Sequence, residues 1–268
     1  MPASAPGRVL ERAGARVLVF STATDACAAA ADHLATAVRS AVAARGRAVL
    51  GLATGATPTA VYAHLVALCR NGELSFADVV TYNLDEYYPI SPCDPRSYRV
   101  YMHEHLFRHV DLPANRAHLL DGSVPEHAAA EHAAAFDRWI AADGGLDCQL
   151  LGIGRNGHIG FNEPSGLPVA DALRLPTRLM DLHPVTVADA ADDFGGAEHV
   201  IPRALTMGVA PILAARGILV LALGPNKAEI VARSLRGPMT AAVPGTLLQA
   251  VPGKVTWMLD EAAARGLE

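Results

Sequence analysis

The sequence predicts an α/β fold, a mostly parallel sheet with helices on both faces. Three observations carry that expectation. Short apolar runs bounded by Gly, Pro or Asn recur along the chain. Ala-rich stretches separate several of them. No repeat of 20–50 residues and no low-complexity linker divides the whole. Runs that are apolar throughout, rather than alternating, suit strands buried on both faces, and strand–helix alternation builds parallel sheets.

The strand candidates are RVLVF at 16–20, AVLGLAT at 48–54, VVTYNL at 79–84, CQLLGIG at 148–154, GILVLALG at 217–224 and KVTWML at 254–259. The stretches 27–46 and 126–142 read as helices, because Ala is the strongest helix former. The expected organisation is an N-terminal extension over 1–14 and a single domain over 15–268. With 51% hydrophobic and 18% charged residues, a large core is available and wholesale disorder is excluded. The formal net charge of -5 leaves no cationic surplus for nucleic-acid phosphates. No apolar run approaches the ~18 residues of a membrane span, and the N-terminus shows no signal-peptide pattern. The four cysteines are scattered without CxxC, which suits a reducing cytoplasm.

In sheets of this kind ligands bind outside the C-terminal ends of the strands, so the residues after each run matter most. After the second run, GLATGATP offers a glycine turn with Thr57 as helix cap and Pro58 in the first helical position. Amides at such a start favour a phosphate, and a capped helix without a ligand reads the same. After the third, Asp85 and Glu86 stand side by side, either a general base with an orienting partner or a solvated turn. After the fourth, LGIGRNGHIGFNEP formally contains GxGxxG. Pro164 and Pro168 forbid the long helix that a dinucleotide site opens, which leaves a glycine-rich loop presenting His158, Asn162 and Glu163. After the fifth, Lys227 falls in a first helical turn, where a cation opposes the helix dipole unless an anion lies between, or simply reaches solvent. His105 and His109 have the spacing of helical zinc ligands, but no third ligand is evident and no metal is expected.

GLATGATP, SFADVVTYNLDEYY, GIGRNGHIGFNEP, IPRALTMGV and LGPNKAEIV, in this order, resemble the glucosamine-6-phosphate deaminase/isomerase family over about residues 16–260. The resemblance narrows the α/β fold to one doubly wound, Rossmann-like domain. It also implies conversion of glucosamine 6-phosphate to fructose 6-phosphate and ammonia, with no metal or redox cofactor. Asp85 matches the base that moves the C2 proton to C1. His158 matches the residue that assists ring opening, Glu163 its carboxylate partner, and Asn156 a position that is often Asp. Gly55, Ala56 and Thr57 match the phosphate loop and Lys227 the phosphate-binding lysine.

Two departures stand out. Asn156 can orient His158 but cannot accept a proton. In the expected lid, about 165–200, Thr177 and Arg178 keep part of one family segment with Pro176 in place of its Arg, and Asp192 falls where a phosphate-binding Arg is expected. Arg178 is therefore a candidate replacement cation, with Arg174 and Arg203. The alternatives are the same proton transfers on a modified or non-phosphorylated aminosugar, a 6-phosphogluconolactonase (whose usual string resembles GHTASLFP), and a non-catalytic sugar-phosphate sensor. The expected partner is a small sugar or sugar phosphate, with no nucleic acid or membrane. A homo-oligomer is compatible with the family, whose members range from monomers to hexamers.

Overall fold

All six apolar runs become strands of one parallel array in the computed structural model, which describes residues 5–267. In chain order the elements are β1 (Arg8–Arg12), β2 (Ala15–Phe20), α1 (Ala23–Arg45), β3 (Ala48–Leu52), α2 (Ala56–Arg70), β4 (Val79–Asn83), β5 (Asp85–Tyr87) and α3 (Tyr98–His105). Then come β6 (Ala117–His118), α4 (Glu126–Ala142), β7 (Cys148–Leu151), α5 (Val169–Ala172), β8 (Arg178–Asp181), α6 (Pro184–Asp189) and α7 (Ala191–Phe194). The chain closes with β9 (Arg203–Thr206), α8 (Val209–Ala214), β10 (Gly217–Ala222), α9 (Ala228–Arg236), β11 (Val255–Asp260) and α10 (Glu261–Ala264).

The main sheet has the order β1-β2-β11-β10-β7-β3-β4-β6, parallel except for β1. Residues 8–12, which precede the expected domain start at residue 15, pair antiparallel with β2 as the edge strand. The core strands are apolar throughout because both faces are covered: β3 and β4 are buried at every position. Helix α1 lays Ala26, Ala30, Ala31, Leu34, Ala35 and Val38 on the sheet; Thr22 caps its start and Gly46, at φ 74°, turns the chain out at its end. Among the described residues no helix is long and apolar enough to cross a membrane.

From β3 the chain builds outward through β4 to β6, and from β7 outward through β10 to β11. The winding therefore reverses between β3 and β7, which opens a crevice at their C-terminal ends. A second, three-stranded antiparallel sheet, β5-β9-β8, stands over that edge. It has its own apolar cluster, including Tyr87, Phe161, Leu182 and Phe194.

At the reversal itself, Gly51 of β3 pairs with Gln149 of β7, and a Cβ at Gly51 would collide with the buried Gln149 carboxamide. Gly51→Ala is expected to lower stability by about 1–3 kcal/mol. Adding Gln149→Ala to that variant should return much of the loss, a non-additivity readable in urea unfolding of the two single variants and the double variant.

Candidate active site

A cavity of about 240 Å³ occupies this crevice. It is lined from the ends of β3 (Thr54, Ala56, Thr57), β4 (Leu84, Asp85), β7 (Gly152, Ile153, Gly154, His158) and β10 (Leu221, Ala222, Lys227). The structure thus brings Asp85, His158, Ala56, Thr57 and Lys227 to one space. Glu163, Asn156 and Gly55 stand behind it, and Arg178 lies apart.

Asp85 opens β5 directly after the buried Leu84, and pairing with β9 sets it opposite Thr206. Its carboxyl is buried, and burial first, then the charge of Glu86, pushes its pKa up to about 8 against an opposing hydrogen bond from Thr54. Glu86 is not its orienting partner. Successive strand residues point to opposite faces, and Glu86 points away to the start of α3. There it accepts from Ser97 Oγ at 2.6 Å, Tyr98 N at 3.0 Å and Arg99 N at 3.2 Å, satisfying the first amides of that helix. Burial raises its pKa against those bonds.

The loop after β7 folds back on itself, with Gly157 N donating to Gly154 O at 2.9 Å and Gly154 N to His158 O at 3.0 Å. The His158 ring lies over Gly154, where any Cβ would collide with it. Asn156 Oδ1 accepts the His158 N–H at 3.1 Å, and Asn156 Nδ2 donates to Glu163 Oε2 at 2.8 Å. His158 Nδ1 faces Glu163 Oε2 at 3.4 Å and Thr186 Oγ1 at 3.1 Å, so hydrogen bonding assigns the proton to Nδ1 and leaves Nε2 for the cavity. Burial pushes the Glu163 carboxyl up, but hydrogen bonds from His158, Thr186 and Asn156 outweigh it and hold the pKa below the ordinary value.

Thr206 ties this loop to β5. Its Oγ1 accepts the Phe161 N–H at 3.0 Å, and a Cβ built on Gly160 would stand 3.6 Å from Asp85 Oδ2.

At the other end of the cavity, α2 begins at Ala56, with Gly55 as its cap at φ 98°. Thr57 is therefore the second helical residue rather than the cap, because Gly55 takes the positive φ that an L-residue there resists. No side chain caps the helix, so its first amides are open to the cavity. Lys227 ends a short turn before α9, and its Nζ donates to Ile153 O at 2.8 Å; burial lowers its pKa.

One reading of the segment 165–200 is corrected, that of Arg178, and the place of Asp192, open in the sequence, is now given. Arg178 does not reach the cavity: β8 pairing sets it opposite Thr206, its Nη1 donates to Asn162 Oδ1 at 2.8 Å, and it lines a separate surface pocket with His183. Asp192 is exposed on α7 and does not line the cavity, whereas Asp189 and Asp193 do. Asp189 is paired bidentately with Arg155, whose Nε donates to Oδ2 at 3.0 Å. Thr54, Tyr87, Tyr98 and Thr186 also belong to the site, and nothing in their sequence spacing marked them.

The family model describing glucosamine-6-phosphate isomerases and 6-phosphogluconolactonase matches residues 21–257. The chain belongs to this family. Within it, the glucosamine-6-phosphate deaminase of Rhodopirellula baltica is 46% identical over 82% of this chain and 84% of its own length. A solved structure of a monomeric glucosamine-6-phosphate deaminase superposes with a TM-score of 0.86 at 35% identity, covering 93% of this chain and 99% of that one. The 6-phosphogluconolactonase of Trypanosoma brucei shares the fold, with a TM-score of 0.72 at 20% identity over 94% of this chain and 98% of that one.

The two adjacent carboxylates of this family member should separate cleanly on substitution. Glu86→Ala leaves the Tyr98 amide without its acceptor, while Arg99 N keeps Ser97 Oγ, and is expected to lower stability by about 1–3 kcal/mol in urea unfolding. Asp85→Asn should do the opposite above acid pH. The wild-type carboxyl titrates near 8 when folded against 3.8 as its ordinary value, so wild-type stability falls as pH rises through this window. The melting-temperature advantage of Asp85→Asn should therefore grow from about pH 4 to about pH 8 and then level off.

Proposed function

We propose that this protein is a glucosamine-6-phosphate deaminase, converting glucosamine 6-phosphate and water to fructose 6-phosphate and ammonia. The observation that carries this reading is the convergence of Asp85 and His158 on one cavity with Lys227 and the start of α2. The likeness to named deaminases supports the substrate.

A closed aminosugar presents no carbonyl, so the ring must open first. His158 Nε2 takes the proton from the O1 hydroxyl and returns it to O5 as the C1–O5 bond breaks. Glu163 balances the transient imidazolium. Asp85, as carboxylate, then takes the C2 proton and delivers it to C1. An amine proton passes to O1 as the double bond shifts, and the nitrogen ends as a C2 imine beside a C1 hydroxymethyl group. Water adds to C2, ammonia leaves, and the ketose remains. A carboxyl whose pKa lies near 8 is a stronger base than an ordinary aspartate, which suits abstraction from carbon. Lys227 and the open amides of α2 hold the phosphate, which fixes the carbon chain so that Asp85 meets one hydrogen.

Incubation with glucosamine 6-phosphate should yield fructose 6-phosphate and ammonia in equal amounts; a folded preparation that forms neither overturns the reading. Asp85→Asn should lower kcat on the order of 100- to 10,000-fold. Because the base works ionised, wild-type kcat/KM should rise with pH and level off above about 8. Lys227→Ala should raise KM about 10-fold or more, the loss of one charge-assisted hydrogen bond.

A further inference from the structure

We propose that Thr186, on α6 of the segment 165–200, is a positioning residue for the His158 imidazole, so that this segment completes the ring-opening relay. The proposal rests on the deaminase reading above and deepens it.

Thr186 is only 4% exposed, and three polar groups meet at its hydroxyl. Its Oγ1 lies 3.1 Å from His158 Nδ1 and 3.5 Å from Asn156 Nδ2, and Thr186 helps to hold the nearby Glu163 carboxyl below its ordinary pKa. A hydroxyl has one proton to give and two lone pairs to receive with. Glu163 Oε2 can only accept and also faces Nδ1, so the ring proton sits on Nδ1 and the hydroxyl receives it on one lone pair, with the Asn156 amide on the other. That arrangement admits one tautomer of the neutral ring, with Nε2 bare toward the cavity. The direct separation of Nδ1 from Glu163 Oε2 is 3.4 Å, long for a hydrogen bond that must alone fix a ring. The hydroxyl supplies the shorter contact.

Thr186 is not spent on its own helix. The His183 side chain caps α6 by accepting from Val185 N. Three residues on, on the same helix face, Asp189 grips Arg155 of the His158 loop. Helix α6 therefore holds that loop at two points. The charged groups around the imidazole are Glu163 on its own loop, Asp85 from β5, Lys227 beside α9, Asp189 on α6 and Asp193 on α7.

Thr186→Val keeps the shape and removes the hydroxyl; Thr186→Ser keeps the hydroxyl. The ¹⁵N shifts of His158, assigned with a His158→Gln control in the full-length enzyme, report its tautomer. In the wild type they should show protonation at Nδ1. In Thr186→Val they should move toward a mixture of tautomers, kcat on glucosamine 6-phosphate should fall about 10- to 100-fold, and KM should stay within about twofold. Thr186→Ser should keep the wild-type shifts and kcat within about threefold. Unchanged shifts and kcat in Thr186→Val overturn the proposal, as does a Thr186→Ser variant as impaired as the valine one, which would mark a packing effect. Should the valine variant fail to fold, Thr186→Ala is read by the same criteria. A wild type that does not turn over glucosamine 6-phosphate overturns the deaminase reading instead, and the ¹⁵N shifts still decide the role of Thr186.

Discussion

Asp85 and Thr206 stand opposite each other in the small antiparallel sheet, and Thr206 Oγ1 also accepts the Phe161 N–H at 3.0 Å. One residue therefore holds the strand that carries the carboxylate and the loop that carries the imidazole. β5 is three residues long and cannot hold its own register. A slip of one residue would turn Asp85 to the α3 side and bring Glu86 into the cavity. The apolar cluster of Tyr87, Phe161, Leu182 and Phe194 fixes that register through Tyr87, which shares the Asp85 face of the strand. The chemistry of the cavity thus depends on a short ladder outside the main sheet.

Burial acts on both ends of the cavity toward neutrality. It raises the Asp85 carboxyl and lowers the Lys227 ammonium. A ligand with an anionic group at the Lys227 end restores the charged form of the lysine. A cationic amine near Asp85 does the same for the carboxylate. A phosphorylated aminosugar carries both groups, so on the deaminase reading one substrate answers both shifts. Glu163 differs because its hydrogen bonds outweigh its burial, and it stays ionised as counter-charge to His158.

The main sheet was legible in the sequence because its strands are buried on both faces and so read as unbroken apolar runs. Strand β1 was not, because it is an edge with three of its five residues exposed. The small sheet was not, because β8 is only half-buried and three- or four-residue strands leave no period to read. The site residues that follow buried strands, Asp85, His158 and Lys227, were candidates by that position, and the family resemblance chose between the catalytic and the bland reading of each. The opposite directions of Asp85 and Glu86 follow from the pleat once β5 is a strand, but nothing in NLDEYY says that it is one. Arg178 went astray because its partner, the Asn162 amide, sits sixteen residues away and only the fold brings the two together. Thr186 lies in a stretch that resembles no motif, and its hydroxyl has meaning only against His158.

The segment 165–200 raises the question of how an anion is held where the expected arginine is absent. Asp189 lines the cavity, and an unpaired carboxylate there would repel a phosphate. Its bidentate pairing with Arg155 cancels that charge, and Lys227 sits close enough to be influenced by both partners. Asp192, at the sequence position of the expected arginine, faces solvent and adds little at short range. On the deaminase reading, the phosphate end is therefore built from Lys227 and the α2 amides, both outside the segment. That leaves α6 free for a different task, closing the hydrogen-bond shell around His158. Anion recognition and imidazole alignment then sit on separate elements, so variation along 165–200 can remove an arginine without disturbing the proton transfers beneath it.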